Sequence, residues 1–327
     1  MIAKVAVWGL GLHATRNILP SLSSSKGIEL YGVCSRDKQT VQKSAEAFNC
    51  LGWTDPFEML QDSRVDVVYL STPIGLHAEH GKLVLGARKH LWCEKPLGAN
   101  LAQVQELVKL SRDQSVCLAE AFMYLYHPQF DRVREIIDSG KLGTIREVTL
   151  RFGIPPLETP GFRNDPALGG GAFLDVGSYP ISAAAALFPK SEPRVTLSEI
   201  DFLPGIQVDT GGRAVLQCQN NADETPVNLT LQWGINCAYR NEIDLWGNLG
   251  SVSTERIFSK PADYVPKFMF RDLRGAESLQ NGIAANHFTA MMRNFRGLID
   301  DAQAAEDERI AIVRRAQLAD KIQRRKN

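Results

Sequence analysis

Through its first third the chain alternates short apolar runs with amphipathic stretches. "KVAVWG", "IELYGVCS", "VDVVYLST", "HLWCEKP" and "SVCLAEAF" have the length of strands, and their consecutive apolar positions suit strands covered on both faces. Between them, Leu12 to Leu22, Gln39 to Phe48, Gly75 to Ala87 and Leu101 to Asp113 have the mixed composition of crossover helices. That alternation predicts parallel β-α-β units.

After about residue 122 the period shortens to two. "REVTLRFG", "RAVLQCQ", "VNLTLQWG" and "NEIDLWG" alternate apolar with polar side chains, as half-exposed strands of a second, largely antiparallel sheet do. In "VNLTLQW", Val227, Leu229, Leu231 and Trp233 share one face, and Asn228, Thr230 and Gln232 the other. A wettable face of this kind suits a subunit contact. From about Asn286 to Lys326 the pattern is helical, and its basic end, "RRAQLADKIQRRKN", reads as a solvated face complementing a helix C-terminus rather than as a nucleic-acid patch. The expected class is α/β. A doubly wound parallel sheet (Rossmann) occupies 1–122. An α+β domain for substrate binding and oligomerisation, built on a large, mostly antiparallel open sheet, occupies 123–327, and the C-terminal helix packs back toward the first domain.

Composition narrows the partners. The 327 residues carry 37 Lys and Arg against 37 Asp and Glu, so no net field favours nucleic acid or an anionic membrane, and a small-molecule ligand is expected. Six cysteines, Cys34, Cys50, Cys93, Cys117, Cys218 and Cys237, have neither C-x-x-C spacing nor a histidine pattern beside them. They read as reduced, mostly buried thiols, with no metal site expected. Met1 leads directly into the first apolar run, without a signal-like region or a stretch of membrane-spanning length, and a cytoplasmic location is expected.

The chemistry-bearing stretches follow the strands. In "VAVWGLGLHA", Gly9, Gly11 and Ala14 make G-x-G-x-x-A between a strand and a helix. The glycines permit a tight turn and close pyrophosphate approach, Ala14 lets the helix press on the sheet, and the helix N-terminal amides face the phosphates. Leu10 and Leu12 complete the turn. The second strand ends in "CSRDK", where Ser35, Arg36 and Lys38 stand in place of an acid that would bind a free ribose, which favours NADP over NAD. Ser71, Thr72 and Pro73 end the next long strand, with His77 just beyond, and Glu94, Lys95 and Pro96 end the one after. By residue type alone Lys95 would be an exposed lysine, but its place between a buried strand and a proline argues otherwise, and His77, His127 and His287 read as caps or packed rings.

With its Glu94-Lys95-Pro96 triplet some eighty residues past the glycine turn, the chain resembles the glucose-fructose oxidoreductase and inositol dehydrogenase family of NAD(P) enzymes. "GGGAFLDVGSYPI", residues 169 to 181, looks like that family's glycine-rich segment carrying an aspartate and, four residues on, a histidine or tyrosine, here Asp175 and Tyr179. Without the resemblance, Asp175 would read as a helix-surface charge and Tyr179 as a core aromatic. On a helix that spacing puts both on one face, although Pro180 can kink it. "AEAFMYLYHPQ", "VDTGGRAVLQ" and "YRNEIDLWGNLGSVSTERIF" extend the likeness over almost the whole chain, the last looking most like nucleotide-sugar 3-ketoreductases. Ile74 and Leu125 depart from it, standing where many relatives have asparagine and arginine.

The resemblance implies hydride transfer between NADP and a sugar carbonyl or hydroxyl, with Lys95 polarising the oxygen, Tyr179 exchanging its proton and Asp175 orienting the pair. It also implies a cis Lys95-Pro96 peptide and a homodimer or homotetramer formed through the second sheet. The cofactor set expected is Gly9, Leu10, Gly11, Leu12, Ala14, Ser35, Arg36, Lys38, Ser71, Thr72, Pro73, His77, Glu94 and Lys95. Alternatives are a free aldose or trans-dihydrodiol dehydrogenase and, from another class, a non-catalytic NADPH-sensing protein.

Overall fold

The computed structural model describes residues 2–159, 161–220 and 225–325. It divides into two compact units, Met1–Ala121 with Phe288–Val313, and Phe122–His287 with Arg314–Asn327.

The first unit holds β1 (Ala3–Trp8), α1 (Leu19–Ser24), β2 (Ile28–Cys34), α2 (Lys38–Phe48), β3 (Leu51–Trp53), α3 (Pro56–Gln61), β4 (Val67–Leu70), α4 (His77–Gly86), β5 (His90–Glu94), α5 (Leu101–Asp113) and β6 (Leu118–Ala121). All six strands are parallel, in the order β3-β2-β1-β4-β5-β6. The reversal of strand order between β1 and β4 opens a crevice at their carboxyl ends, where ligands bind in sheets of this kind. Val5, Ala6 and Val7 are fully buried, as are all four residues of β4, because helices cover both faces.

The helix expected over Leu12 to Leu22 has a wide π-type turn, Ala14–Ile18, before α1. Pro20, with no N–H to donate, falls where the wide turn hands over to the α-helix. The sequence reading missed β3 and α3. β3 is three half-exposed residues centred on Gly52, too short to show a period.

The second unit holds α6 (Pro128–Asp138), β7 (Ile145–Ile154), α7 (Ser178–Leu187), β8 (Arg194–Asp201), β9 (Gly211–Gln219), β10 (Pro226–Ile235), β11 (Arg240–Gly247), β12 (Gly250–Glu255), β13 (Lys267–Asp272) and β14 (Glu277–Asn281). Its eight strands run β14-β13-β12-β11-β7-β10-β9-β8, antiparallel except where β7 meets β10. In β10, Val227, Leu229, Leu231 and Trp233 are buried, and Gln232 on the opposite face accepts from Arg151 at 2.6 Å. The alanine-rich α7 packs against β7 and β10, and a Cβ on Gly177, just before it, would lie 3.0 Å from the Trp233 ring. Small residues therefore set the helix close to the sheet.

Two helices follow, α8 (His287–Asp300) and α9 (Ala302–Arg324). In the first unit, Phe295 of α8 packs on Trp92, and Arg309 of α9 donates to Ser111 Oγ at 3.0 Å and the Val116 carbonyl at 2.8 Å. The basic end of α9 is the solvated face expected of it at Lys321 and Arg324, but not at Arg314 and Arg315. Arg314 donates to the carbonyls of Phe188, Pro189 and Ser191, Arg315 is buried against the Phe122 ring, and Arg325 donates to the Val195 carbonyl. Arg314 is drawn in because the end of α7 leaves carbonyls without helical partners. Lys326, the last residue of the expected helix, lies outside the described residues.

All six cysteines are free, Cys34, Cys93, Cys117 and Cys218 buried and Cys237 exposed. Among the described residues no helix is long and apolar enough to cross a membrane, and no His, Cys, Asp and Glu group could hold a metal.

Candidate active site

In the first unit the carboxyl ends of β1, β2 and β4 bring three loops together. Gly9 donates its N–H to the Cys34 carbonyl at 2.9 Å, and Ser71 donates to the Trp8 carbonyl at 2.8 Å. Gly9 has φ +104°, and a Cβ there would sit 2.5 Å from the Ser71 carbonyl oxygen, so only glycine fits. A Cβ on Gly11 would meet nothing within 4 Å. The turn is tight on its protein side and open on the other, which is what a diphosphate approaching backbone N–H groups requires. Leu12 is exposed beside it, and Ala14 is fully buried against the sheet.

Ser35 and Arg36 stand in the loop after β2, and Lys38 opens α2. The neighbouring acid is used locally: the Asp37 carboxylate caps α2, accepting the Thr40 N–H at 2.8 Å, and that bond holds it below its usual pKa. Arg36 and Lys38 are left exposed. These residues fit a dinucleotide bearing a 2'-phosphate, with Arg36 and Lys38 to hold that phosphate and the glycine turn to hold the diphosphate.

The loop after β5 is pinned on both sides of Lys95. The Lys95-Pro96 peptide is cis. His77 is buried, with Nδ1 2.8 Å from the Pro96 carbonyl and Nε2 2.8 Å from the Thr72 carbonyl. Its ring ties the β4 and β5 loops together. The buried Glu120 accepts the Leu97 N–H at 2.8 Å. Glu94 accepts from Tyr69 Oη at 2.6 Å and His13 Nε2 at 2.9 Å, which joins the β5 end to the glycine turn. Burial pushes the Glu94 carboxyl up, but the charge and hydrogen bond of His13, the Tyr69 hydroxyl and the Lys95 charge outweigh it and bring the pKa down to about 2.

A carboxyl depressed on folding stabilises the native state above its unfolded pKa and ceases to do so as pH falls toward its folded value. Glu94→Gln should therefore lower stability at pH 7 by on the order of 3 kcal/mol, the gap closing between pH 4.5 and 2. Urea unfolding of both proteins across that range measures it, and a gap independent of pH would refute it.

In the second unit, Asp175 and Tyr179 lie on a helical run that opens with a π-type turn, Phe173–Gly177, and continues as α7. Pro180 sits just past the wide turn, and the Ser178 hydroxyl donates to the Asp175 carbonyl at 3.2 Å. Asp175 is buried and paired with Arg163, whose Nε lies 2.5 Å from Oδ2. Tyr179 is 7% exposed, its ring packed among Phe122, Tyr124, Phe152 and Phe258. Its hydroxyl faces Met123 Sδ at 3.8 Å. Ile74 and Leu125 are both buried apolar side chains, so they pack rather than offer hydrogen bonds.

His127 is the N-cap of α6, its Nδ1 accepting the Gln129 N–H at 2.9 Å, and burial brings its pKa down to about 4. His287 lies beside it, buried, with ring centroids 6.2 Å apart. The sequence reading missed Arg163 and Asp209. Asp209 accepts the Phe173 N–H at 2.6 Å, and burial raises its carboxyl to about 6 against the pull of that bond. The signal available for Asp209 was its place in "VDTGG", between two strand patterns.

Residues 3–122 match the model of an oxidoreductase family described as an NAD-binding Rossmann fold, and residues 130–253 match the GFO/IDH/MocA C-terminal domain. The chain is 31% identical over 326 residues to dTDP-3,4-didehydro-2,6-dideoxy-alpha-D-glucose 3-reductase of Streptomyces violaceoruber, covering 98% of this chain and 94% of the relative. Among solved structures it is similar to KijD10, a 3-ketoreductase from Actinomadura kijaniata in complex with NADP and TDP-benzene. There the TM-score is 0.90 and the identity 29%, covering 99% of this chain and 97% of that one. KijD10 has also been solved with a tyrosine changed to phenylalanine and with a lysine changed to alanine. Over 192 residues, 57% of this chain and of the relative, it is 32% identical to trans-1,2-dihydrobenzene-1,2-diol dehydrogenase of Mus musculus.

Proposed function

The chain belongs to the GFO/IDH/MocA oxidoreductase family, and from that premise we propose that it is an NADP-dependent 3-ketoreductase acting on a nucleotide-linked deoxysugar. The observation that carries this reading is the end-to-end likeness to dTDP-sugar 3-reductases, spanning both units. The diol dehydrogenase likeness covers little more than half the chain and carries less. An idle NADPH sensor would have no use for Lys95, Asp175 and Tyr179 together.

Bound NADPH supplies the hydride. As the carbonyl carbon accepts that electron pair, the C=O π pair moves onto oxygen, where negative charge develops. In this reading the Lys95 ammonium stabilises that charge, and the Tyr179 hydroxyl gives its proton to the oxygen, completing the alcohol and leaving a tyrosinate. The lysine charge also favours that tyrosinate. Asp175, held by Arg163, orients the tyrosine or a sugar hydroxyl. Glycines 9 and 11, with Leu10, Leu12 and Ala14, shape the diphosphate turn. Ser35, Arg36 and Lys38 take the 2'-phosphate, and Ser71, Thr72, Pro73 and Glu94 complete the cofactor edge.

The same reading assigns residues 1–122 to the cofactor and 123–327 to the sugar, places the enzyme in the cytoplasm, and makes it a homodimer or homotetramer. Arg151, Gln232 and Glu242, paired across the polar face of the second sheet, support a subunit contact there.

The test is NADPH oxidation with a dTDP-linked 3-keto-6-deoxysugar, beside free aldoses and trans-dihydrodiols. Turnover should be confined to the nucleotide-linked ketone. Arg36→Ala should raise KM for NADPH by roughly 10–100-fold, as loss of a charge-assisted phosphate contact does, and leave KM for NADH within about threefold. Equal loss with both cofactors, or turnover of free sugars alone, would refute the assignment.

A further inference from the structure

We propose that Asp209 is a positioning residue for the reduction, fixing the start of the helical run that presents Asp175 and Tyr179; the inference rests on the assignment of Tyr179 as proton donor. The residue comes from the segment between β8 and β9, far along the chain from that run. Its carboxylate accepts the Phe173 N–H at 2.6 Å, and its own carbonyl accepts the Ala172 N–H at 2.9 Å. Two N–H groups at the start of the run, which have no helical acceptor, are thus met by one residue.

The approach depends on glycine. Gly171 has φ +112°, and a Cβ there would fall 2.2 Å from Asp209 Oδ1. At Gly170 a Cβ would lie 2.5 Å from the Arg163 carbonyl oxygen, which itself accepts the Gly171 N–H at 2.9 Å. The glycine segment is therefore held between Asp209 on one side and the Arg163 backbone on the other. Arg163, held there, donates to Asp175. Asp209 sets where the first turn begins, Arg163 sets the acid on it, and Tyr179 follows four residues after that acid. A tyrosine at the end of such a rigid arm has its hydroxyl direction decided at the arm's root.

An ordinary helix cap would affect stability and leave the turnover of folded enzyme unchanged. The experiment separates the two by measuring kcat and both KM values for Asp209→Ala and Asp209→Asn, each in the wild-type and Tyr179→Phe backgrounds, below the unfolding temperature. Asp209→Ala should lower kcat by roughly 10–100-fold, the scale of a misplaced reacting group, with KM for NADPH unchanged. Asp209→Asn, which keeps an acceptor oxygen, should recover kcat to within about threefold of wild type. In the Tyr179→Phe background, Asp209→Ala should cost less than about twofold, because the group it positions is gone.

Wild-type kcat in Asp209→Ala overturns the inference, as does the same loss repeated in full beside Tyr179→Phe, or an asparagine no better than alanine. Should Asp209→Ala fail to fold, Asp209→Val, which also removes the acceptor oxygens but fills more of the space, carries the same comparison. Full kcat in Tyr179→Phe alone overturns the proton-donor assignment and this inference with it, a result distinct from loss in Tyr179→Phe with no effect at residue 209.

Discussion

Tyr179→Phe should turn over a dTDP-linked 3-keto-6-deoxysugar roughly 10²–10⁴ times more slowly than wild type at saturating NADPH, the range of a lost general acid. The reason for so large an effect from one oxygen atom is chemical. The substitution keeps the ring and its packing among Phe122, Phe152 and Phe258, so the fold has little cause to change. What disappears is the proton that converts an alkoxide into an alcohol. KM for NADPH should stay within about threefold, because only an interaction made in the transition state has been removed. Steady-state kinetics decide the matter, and a kcat within about threefold of wild type would remove Tyr179 from the chemistry.

Lys95→Met should lower kcat by roughly 10²–10³-fold, the loss associated with removing one preorganised group from a developing oxyanion. Methionine keeps much of the apolar stem and deletes the charge. The loop on either side is tied by Glu94, His77 and Glu120, so the position itself should persist. NADPH should still raise the melting temperature of the variant, since binding to the folded state alone stabilises it whether or not turnover follows. Wild-type kcat would exclude Lys95 from the reaction. Loss of the NADPH-induced rise would make it a cofactor ligand instead.

The parts of this molecule that were legible in one dimension share a cause. Strands β1, β2, β4, β5 and β6 are largely buried on both faces and so appear as mostly apolar runs, interrupted at Lys4, Glu29 and Glu120, and β7, β9, β10 and β11 are buried on one and so alternate. Strands β3 and β14 lack either mark: one is three residues long, the other has no buried side chain. Arg314 and Arg315, within α9's basic stretch, looked solvated for a related reason. Charge along a helix records what could face water, whereas Arg314 was drawn inward by the end of α7, more than a hundred residues earlier in the chain.

Local sequence determined the period of burial, the glycine turn after β1, and the two short motifs around Lys95 and Tyr179, because each depends on backbone conformation and on residues a few positions apart. Tertiary structure alone decided that His77 joins two loops through both ring nitrogens, that Arg163 pairs with Asp175, and that Asp209 holds the start of the Tyr179 helix. Those contacts depend on which donor is left without a partner once the chain has packed. A buried polar group takes its partner from whatever side chain the fold brings within reach, however distant in sequence.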